Sequence, residues 1–188
     1  LLQGWRTLWN IDFPFYFVQI APFQYGKEDP TVLPEFWEAQ AEIVKEIPKT
    51  GMAVVSDATT LNNIHPPNKE VPGTRLALLA LDHTYDRAVV STGPIFEKLE
   101  VRADQLVVTF SSAEELTTRD GKAPDYFEIG DETGDFKPAA AEIKGERIFL
   151  ASPEVGHPVS VRFGWHKLAT PNLMNEADLP AQPFRAGK

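Results

Sequence analysis

A chain of 188 residues, 43% hydrophobic and 24% charged, carries enough apolar material for one large domain or two small ones, so disorder is not its default state. The net charge of -9 argues against nucleic acid and anionic membrane as partners, because phosphate-rich surfaces would repel it. Cysteine is absent, which excludes a disulfide framework and a thiolate metal site and leaves the redox compartment open.

No apolar run approaches the roughly 20 residues that cross a bilayer, so no membrane insertion is expected. The opening Leu1-Leu2-Gln3-Gly4-Trp5-Arg6 lacks both a Met and the charged-then-apolar order of a signal peptide. A start directly into Trp5-Arg6-Thr7-Leu8-Trp9 reads as the inside of a domain, and a preceding portion of polypeptide is expected.

The first element in chain order is Phe15-Tyr16-Phe17-Val18-Gln19-Ile20, a β-branched and aromatic run bounded by Pro14 and Pro22, which reads as a buried strand. After a Pro/Gly/Asp-rich loop, Pro34 opens a helix in which Phe36, Trp37, Gln40, Ile43, Val44 and Ile47 recur at helical spacing, and Pro48 closes it. Met52-Ala53-Val54-Val55-Ser56 is a second buried strand, delivering Asp57 into a polar loop that runs to Lys69. A further helix spans about Glu70 to Tyr85. This order of elements predicts a parallel α/β layer over residues 1–90, with function at the carboxyl ends of its strands.

From Val89 the texture changes. Glu100-Val101-Arg102, Gln105–Phe110, Arg147–Leu150 and Val159–Phe163 read as strands, separated by turn signals at Asp120-Gly121, Gly134-Asp135 and Lys144-Gly145. Residues 91–188 are therefore expected to form a small antiparallel β-sandwich-like module, with Pro171 to Lys188 irregular.

The segment richest in chemistry is Asp57-Ala58-Thr59-Thr60-Leu61-Asn62-Asn63-Ile64-His65-Pro66-Pro67-Asn68-Lys69. Histidine is the side chain best matched to proton transfer near neutral pH, and His65 stands where an α/β layer places a catalytic group. Pro66 and Pro67 stiffen the loop around it, which suits a general base. The plain alternative is a loop histidine bonded to a carbonyl. His83 on a helix, His157 before Pro158 and His166 beside Trp165 have weaker claims and are read as structural or solvent-facing. Asp131, Glu132 and Asp135 do not match a calcium-loop spacing and are read as a solvated turn. Glu114, Glu115, Asp82 and Asp86 show nothing that would bring two carboxylates together across a cleft. The four tryptophans, Trp5, Trp9, Trp37 and Trp165, are read as core more readily than as sugar-stacking platforms.

At the His65 loop the sequence resembles the sialate O-acetylesterase family of serine esterases. Trp5-Arg6 and Phe13-Pro14-Phe15-Tyr16-Phe17-Val18-Gln19-Ile20-Ala21-Pro22-Phe23 are similar to its signature strand and flanks. Glu38-Ala39-Gln40, Gly51-Met52-Ala53-Val54, Ile64-His65-Pro66-Pro67-Asn68-Lys69 and Gly73-Thr74-Arg75-Leu76-Ala77-Leu78 follow in the family's order. The likeness continues through Ser91-Thr92-Gly93-Pro94, Phe136-Lys137-Pro138-Ala139 and Ser152-Pro153-Glu154-Val155. It then runs through Pro158–Trp165 and Asn172–Asn175 to Leu179–Arg185, so it covers nearly the whole chain.

The resemblance implies an SGNH-type, flavodoxin-like three-layer domain of which residues 1–90 are the C-terminal part. It implies hydrolysis of an acetyl ester on a sialic acid or another glycan sugar, with His65 deprotonating a serine in a Gly-Gln-Ser-Asn block. No serine here has those neighbours, so the nucleophile is expected on a missing N-terminal half or a second chain. SGNH hydrolases commonly place an aspartate three residues before the histidine, and this chain has Asn62 there. Asparagine can orient an imidazole but supplies no charge, and losing the triad carboxylate to asparagine costs a serine protease about 10⁴ in turnover; Asn62 thus reads as a dyad, a weak enzyme or another acid, with Asp57 the candidate substitute and a loop-capping role as its alternative. No metal or organic cofactor is implied. The partner is an acetylated sugar, and family resemblance favours an exported location, periplasmic, secreted or lysosomal. The rival reading is a non-catalytic, carbohydrate-binding relative.

Overall fold

The computed structural model describes residues 1–187. Helix α1 (Leu2–Trp9) ends at Asn10, whose left-handed backbone (φ 51°) is one that asparagine tolerates. From its buried side, Arg6 donates through Nε and Nη2 to Phe13 O (3.1 and 2.9 Å) and through Nη2 to Pro48 O (3.0 Å). One guanidinium thus fastens the turns that lead into both parallel strands.

Those strands are β1 (Phe15–Val18) and β2 (Thr50–Ala53), paired parallel with Phe15 opposite Thr50 and Val18 opposite Ala53. Successive side chains of a strand point to opposite faces, and the contacts divide accordingly. Gly51 and Tyr16 face α3 (Glu70–His83): a Cβ on Gly51 would lie 3.0 Å from the Tyr16 ring and 3.1 Å from Leu79. Thr50 turns the other way, its hydroxyl donating to Ile47 O (2.7 Å) at the end of α2 (Val32–Glu46). The two helices therefore sandwich the short sheet.

Helix α2 begins two residues before Pro34, since an imino residue within the first turn forfeits no helical hydrogen bond. Trp37 is 1% exposed and donates Nε1–H to Ile20 O (2.7 Å), while Gln40 accepts from Ile20 N–H (3.1 Å). The apolar stripe read from the sequence is only partly a core face, because Phe36 and Ile43 are exposed. Strand β1, expected to be buried, is half-buried along its length, whereas β2 is buried throughout.

Beyond α3 the chain is antiparallel. Strands β3 (Ile95–Arg102), β4 (Gln105–Ser111), β8 (Ala140–Lys144) and β9 (Arg147–Ala151) form one sheet in the order β3-β4-β9-β8. Strands β6 (Phe127–Gly130), β7 (Phe136–Pro138), β10 (Ser160–Phe163) and β12 (Phe184–Gly187) form a second, in the order β12-β10-β6-β7. A two-stranded pair joins β5 (Thr117–Thr118) to β11 (Leu173–Met174). Leu106, Val108 and Phe110 of one large sheet share a core with Phe127, Ile129, Val161 and Phe163 of the other.

The stretch from Pro171, read as irregular, is corrected by the structure: β11 and β12 both lie in it. Phe184 anchors β12 by stacking on Phe96 (4.6 Å between centroids). The segment has no β-branched run, so local pattern hides a strand that tertiary packing imposes. At the expected turns, Gly121, Gly134 and Gly145 all take positive φ.

The antiparallel part is clasped to the helices. Arg185 of β12 forms a bidentate pair with Glu38 of α2 (3.0 and 2.8 Å), and Lys167 Nζ donates to the carbonyls of Tyr25 (2.6 Å) and Glu28 (2.9 Å). Among the described residues no helix is long and apolar enough to cross a membrane.

Candidate active site

Parallel strands deliver their carboxyl ends to one edge, and the polypeptide leaving β2 stays buried through Val54, Val55 and Ser56 before turning at Asp57. Arg75 of α3 meets it there. Its Nη1 and Nη2 donate to Asp57 Oδ1 (2.6 Å) and Oδ2 (2.7 Å), and Nη1 also donates to Val54 O (2.7 Å). With both side chains about nine-tenths buried, this fork-on-fork pair fixes where the loop leaves the sheet.

The loop is then stapled to the segment after β1. Thr59 Oγ1 donates to Pro22 O (2.9 Å) and Gln24 N–H to Leu61 O (2.8 Å), while within the loop Asn63 N–H donates to Thr60 O (2.9 Å). Asn63 Oδ1 accepts from the backbone N–H of His65 (2.9 Å), an Asx turn that sets the histidine's approach. His65 is exposed, and so is Asn62. Beneath lies a cavity of about 320 Å³ whose wall includes Gln19, Val55, Ala58, Ile64, Pro66 and Lys69.

Asp57, Asn62 and His65 thus share one anchored loop. Asp57 gives both oxygens to Arg75, and among the described residues no hydrogen bond joins Asp57 or Asn62 to the imidazole. Sequence reasoning did not single out Arg75 or Gln19 for a role. The signal for Arg75 was its i, i+4 spacing from Leu79, which puts both on the face turned to the sheet; a buried guanidinium there requires an anion.

The remaining candidates fall elsewhere. His83 Nδ1 is 3.6 Å from Asp82 at the end of α3, and His166 Nδ1 accepts from Leu168 N–H (3.1 Å); His157 is exposed in a bend. Asp131 caps its own turn by accepting from Thr133 N–H (2.9 Å) and Oγ1 (2.6 Å). Among the described residues no group of three or more potential ligand side chains is placed to hold a metal ion. Trp37 and Trp165 are core as expected, but Trp5 is half-buried and Trp9 is 58% exposed, stacked on Trp5 at 6.2 Å.

Two of the carboxylates expected to stay apart share one cavity. Asp82, Glu114 and Glu176 do come together around a cavity of about 190 Å³, because Asn175 ties Thr92 O to Ser112 O and draws their segments into one place. Glu115 beside Glu176 holds the latter's carboxyl above its ordinary range. Burial does the same for Asp125.

No protein-family model and no curated protein matches the chain. A crystal structure described as a novel carbohydrate acetylesterase from Xanthomonas citri matches with a TM-score of 0.93 at 33% sequence identity, over 100% of this chain and 44% of that one. The chain is similar to part of a carbohydrate acetylesterase. It spans less than half of that protein's length, and the mixed arrangement of a short parallel sheet with antiparallel sheets is common to both.

Proposed function

We propose that this chain is the histidine-bearing portion of a carbohydrate O-acetylesterase of the sialate O-acetylesterase type. A serine on polypeptide outside the chain attacks the acetyl ester of a glycan sugar. The likeness of the whole chain to a carbohydrate acetylesterase carries this reading. The position of His65, at the carboxyl edge of the parallel layer on a loop whose first half is bonded to the segment after β1, supports it.

In this reading His65 accepts the serine proton as the hydroxyl oxygen attacks the acetyl carbon, then donates that proton to the sugar oxygen as the ester C–O bond breaks. A water molecule next gives a proton to His65 as its oxygen attacks the acetyl carbon of the acetyl-serine, and His65 passes that proton to the serine oxygen as the acyl C–O bond breaks, releasing acetate and restoring both groups. The reaction calls for no metal or organic cofactor. Asn62 is the candidate to steady the imidazole through its amide. Asp57, the candidate acid, acts from within its ion pair with Arg75, and that pair makes it an anchor of the loop as well. Residues 1–90 form the SGNH-type part, and 91–188 shape the substrate entrance.

The test is labelling of the full-length polypeptide with a serine-directed fluorophosphonate, followed by peptide mapping. Label on a serine outside the 188 residues is expected, and acetylated oligosaccharide should block it. No label at all favours the non-catalytic carbohydrate-binding relative, the reading that Asn62 in place of an aspartate supports.

A further inference from the structure

Gln19, the residue after β1, is 2% exposed. Its backbone is satisfied, the N–H donating to Ala53 O (2.9 Å). Its side-chain amide makes no hydrogen bond among the described residues, yet Gln19 forms part of the wall of the 320 Å³ cavity under the His65 loop. Val18, Ile20, Val55, Ile64 and Pro66 make the apolar part of that wall, and Asn68 and Lys69 its polar part. The amide therefore has no protein partner among the described residues and borders the cavity, where a ligand can reach it. Leucine or methionine would fill the same space without a polar group, and the amide's donor and acceptor are left for a ligand.

The cavity defines that ligand's chemistry. Ile64 and Pro66 of its wall flank His65 in sequence, and although His65 itself does not line it, the cavity is walled in part by the loop that carries the histidine. The volume suits a monosaccharide-sized group. An amide offers both donor and acceptor without charge, as a sugar hydroxyl does, Asn68 and Lys69 offer further polar groups, and the apolar part of the wall suits the C–H face of a pyranose. We propose that Gln19 is a specificity-determining residue that hydrogen-bonds a hydroxyl of the acetylated sugar bound in this cavity. This rests on the esterase reading and names where the sugar sits.

The experiment compares wild type, Gln19→Leu and Gln19→Met in the full-length polypeptide, on an acetylated oligosaccharide and on a chromogenic aryl acetate that has no sugar. Both variants should raise KM for the oligosaccharide roughly tenfold, the worth of one hydrogen bond to a neutral partner, with kcat within about threefold. Kinetics on the aryl acetate and the thermal midpoint should be unchanged, or the midpoint raised. Unaltered KM for the oligosaccharide in both variants overturns the inference alone. A lowered midpoint with equal losses on both esters also overturns it, because the amide would then be a structural group. Wild type inactive on both esters overturns the esterase reading and takes the inference with it.

Discussion

Replacing Asp57 by alanine strands the Arg75 guanidinium. In the native arrangement the two side chains are 12% and 9% exposed, and two bonds of 2.6 and 2.7 Å join them. After the substitution Arg75 retains Val54 O at 2.7 Å and a longer bond to Asp178 O at 3.3 Å, both neutral acceptors. Breaking a buried pair from one side costs about 3–5 kcal/mol; because the Val54 carbonyl remains, the lower end of that range is expected. Total stabilities run to about 5–15 kcal/mol, so a loss of about 3 kcal/mol is large. Urea denaturation followed by tryptophan fluorescence should show a lower midpoint at an unchanged slope. The double variant Asp57→Leu, Arg75→Leu should lose less than Asp57→Ala, since no uncompensated charge is left behind. A loss below about 1 kcal/mol for Asp57→Ala would place the pair in solvent-screened surroundings and refute the anchoring argument.

Gly93→Ala should destabilise by about 1–3 kcal/mol, because a Cβ there would lie 2.1 Å from the Pro180 carbonyl oxygen. Gly73→Ala, with nothing within 4 Å and a place in α3, should instead stabilise by about 0.5–1 kcal/mol in the same denaturation assay. Glu176 binds its proton more tightly when folded than when unfolded, owing to Glu115. Its contribution to stability is therefore fully present below 4.5 and is lost as pH rises through the raised folded value. Glu176→Gln should flatten that part of the melting-temperature profile against pH.

Periodicity made α2 legible and a continuous apolar run announced β2, whose strand pairing nonetheless starts at Thr50 and ends at Ala53 rather than running to Ser56; Pro48 and Gly51 mark the change between helix and strand. The loop from Asp57 to Lys69 was legible for a related reason: a polar stretch after an apolar strand has to leave the sheet at its carboxyl end. Local pattern failed where tertiary partners decide. Phe184-Arg185-Ala186-Gly187 becomes a strand because β10 supplies its ladder and Phe96 and Phe163 receive its one large apolar side chain. Pairing across the fold was equally hidden. Asp57 and Arg75 stand 18 residues apart, and Asp82 and Glu114 line one cavity where Asn175 binds carbonyls on both neighbouring segments.

The role of His65 is tested most directly by hydrolysis of a chromogenic acetyl ester by the full-length polypeptide, wild type against His65→Ala. General-base catalysis contributes about 10²–10⁴-fold, and a loss of at least that size, with an unchanged thermal midpoint because the side chain is exposed, is the expected result. Equal rates in the two proteins would contradict the assignment of His65 as the proton-transferring group.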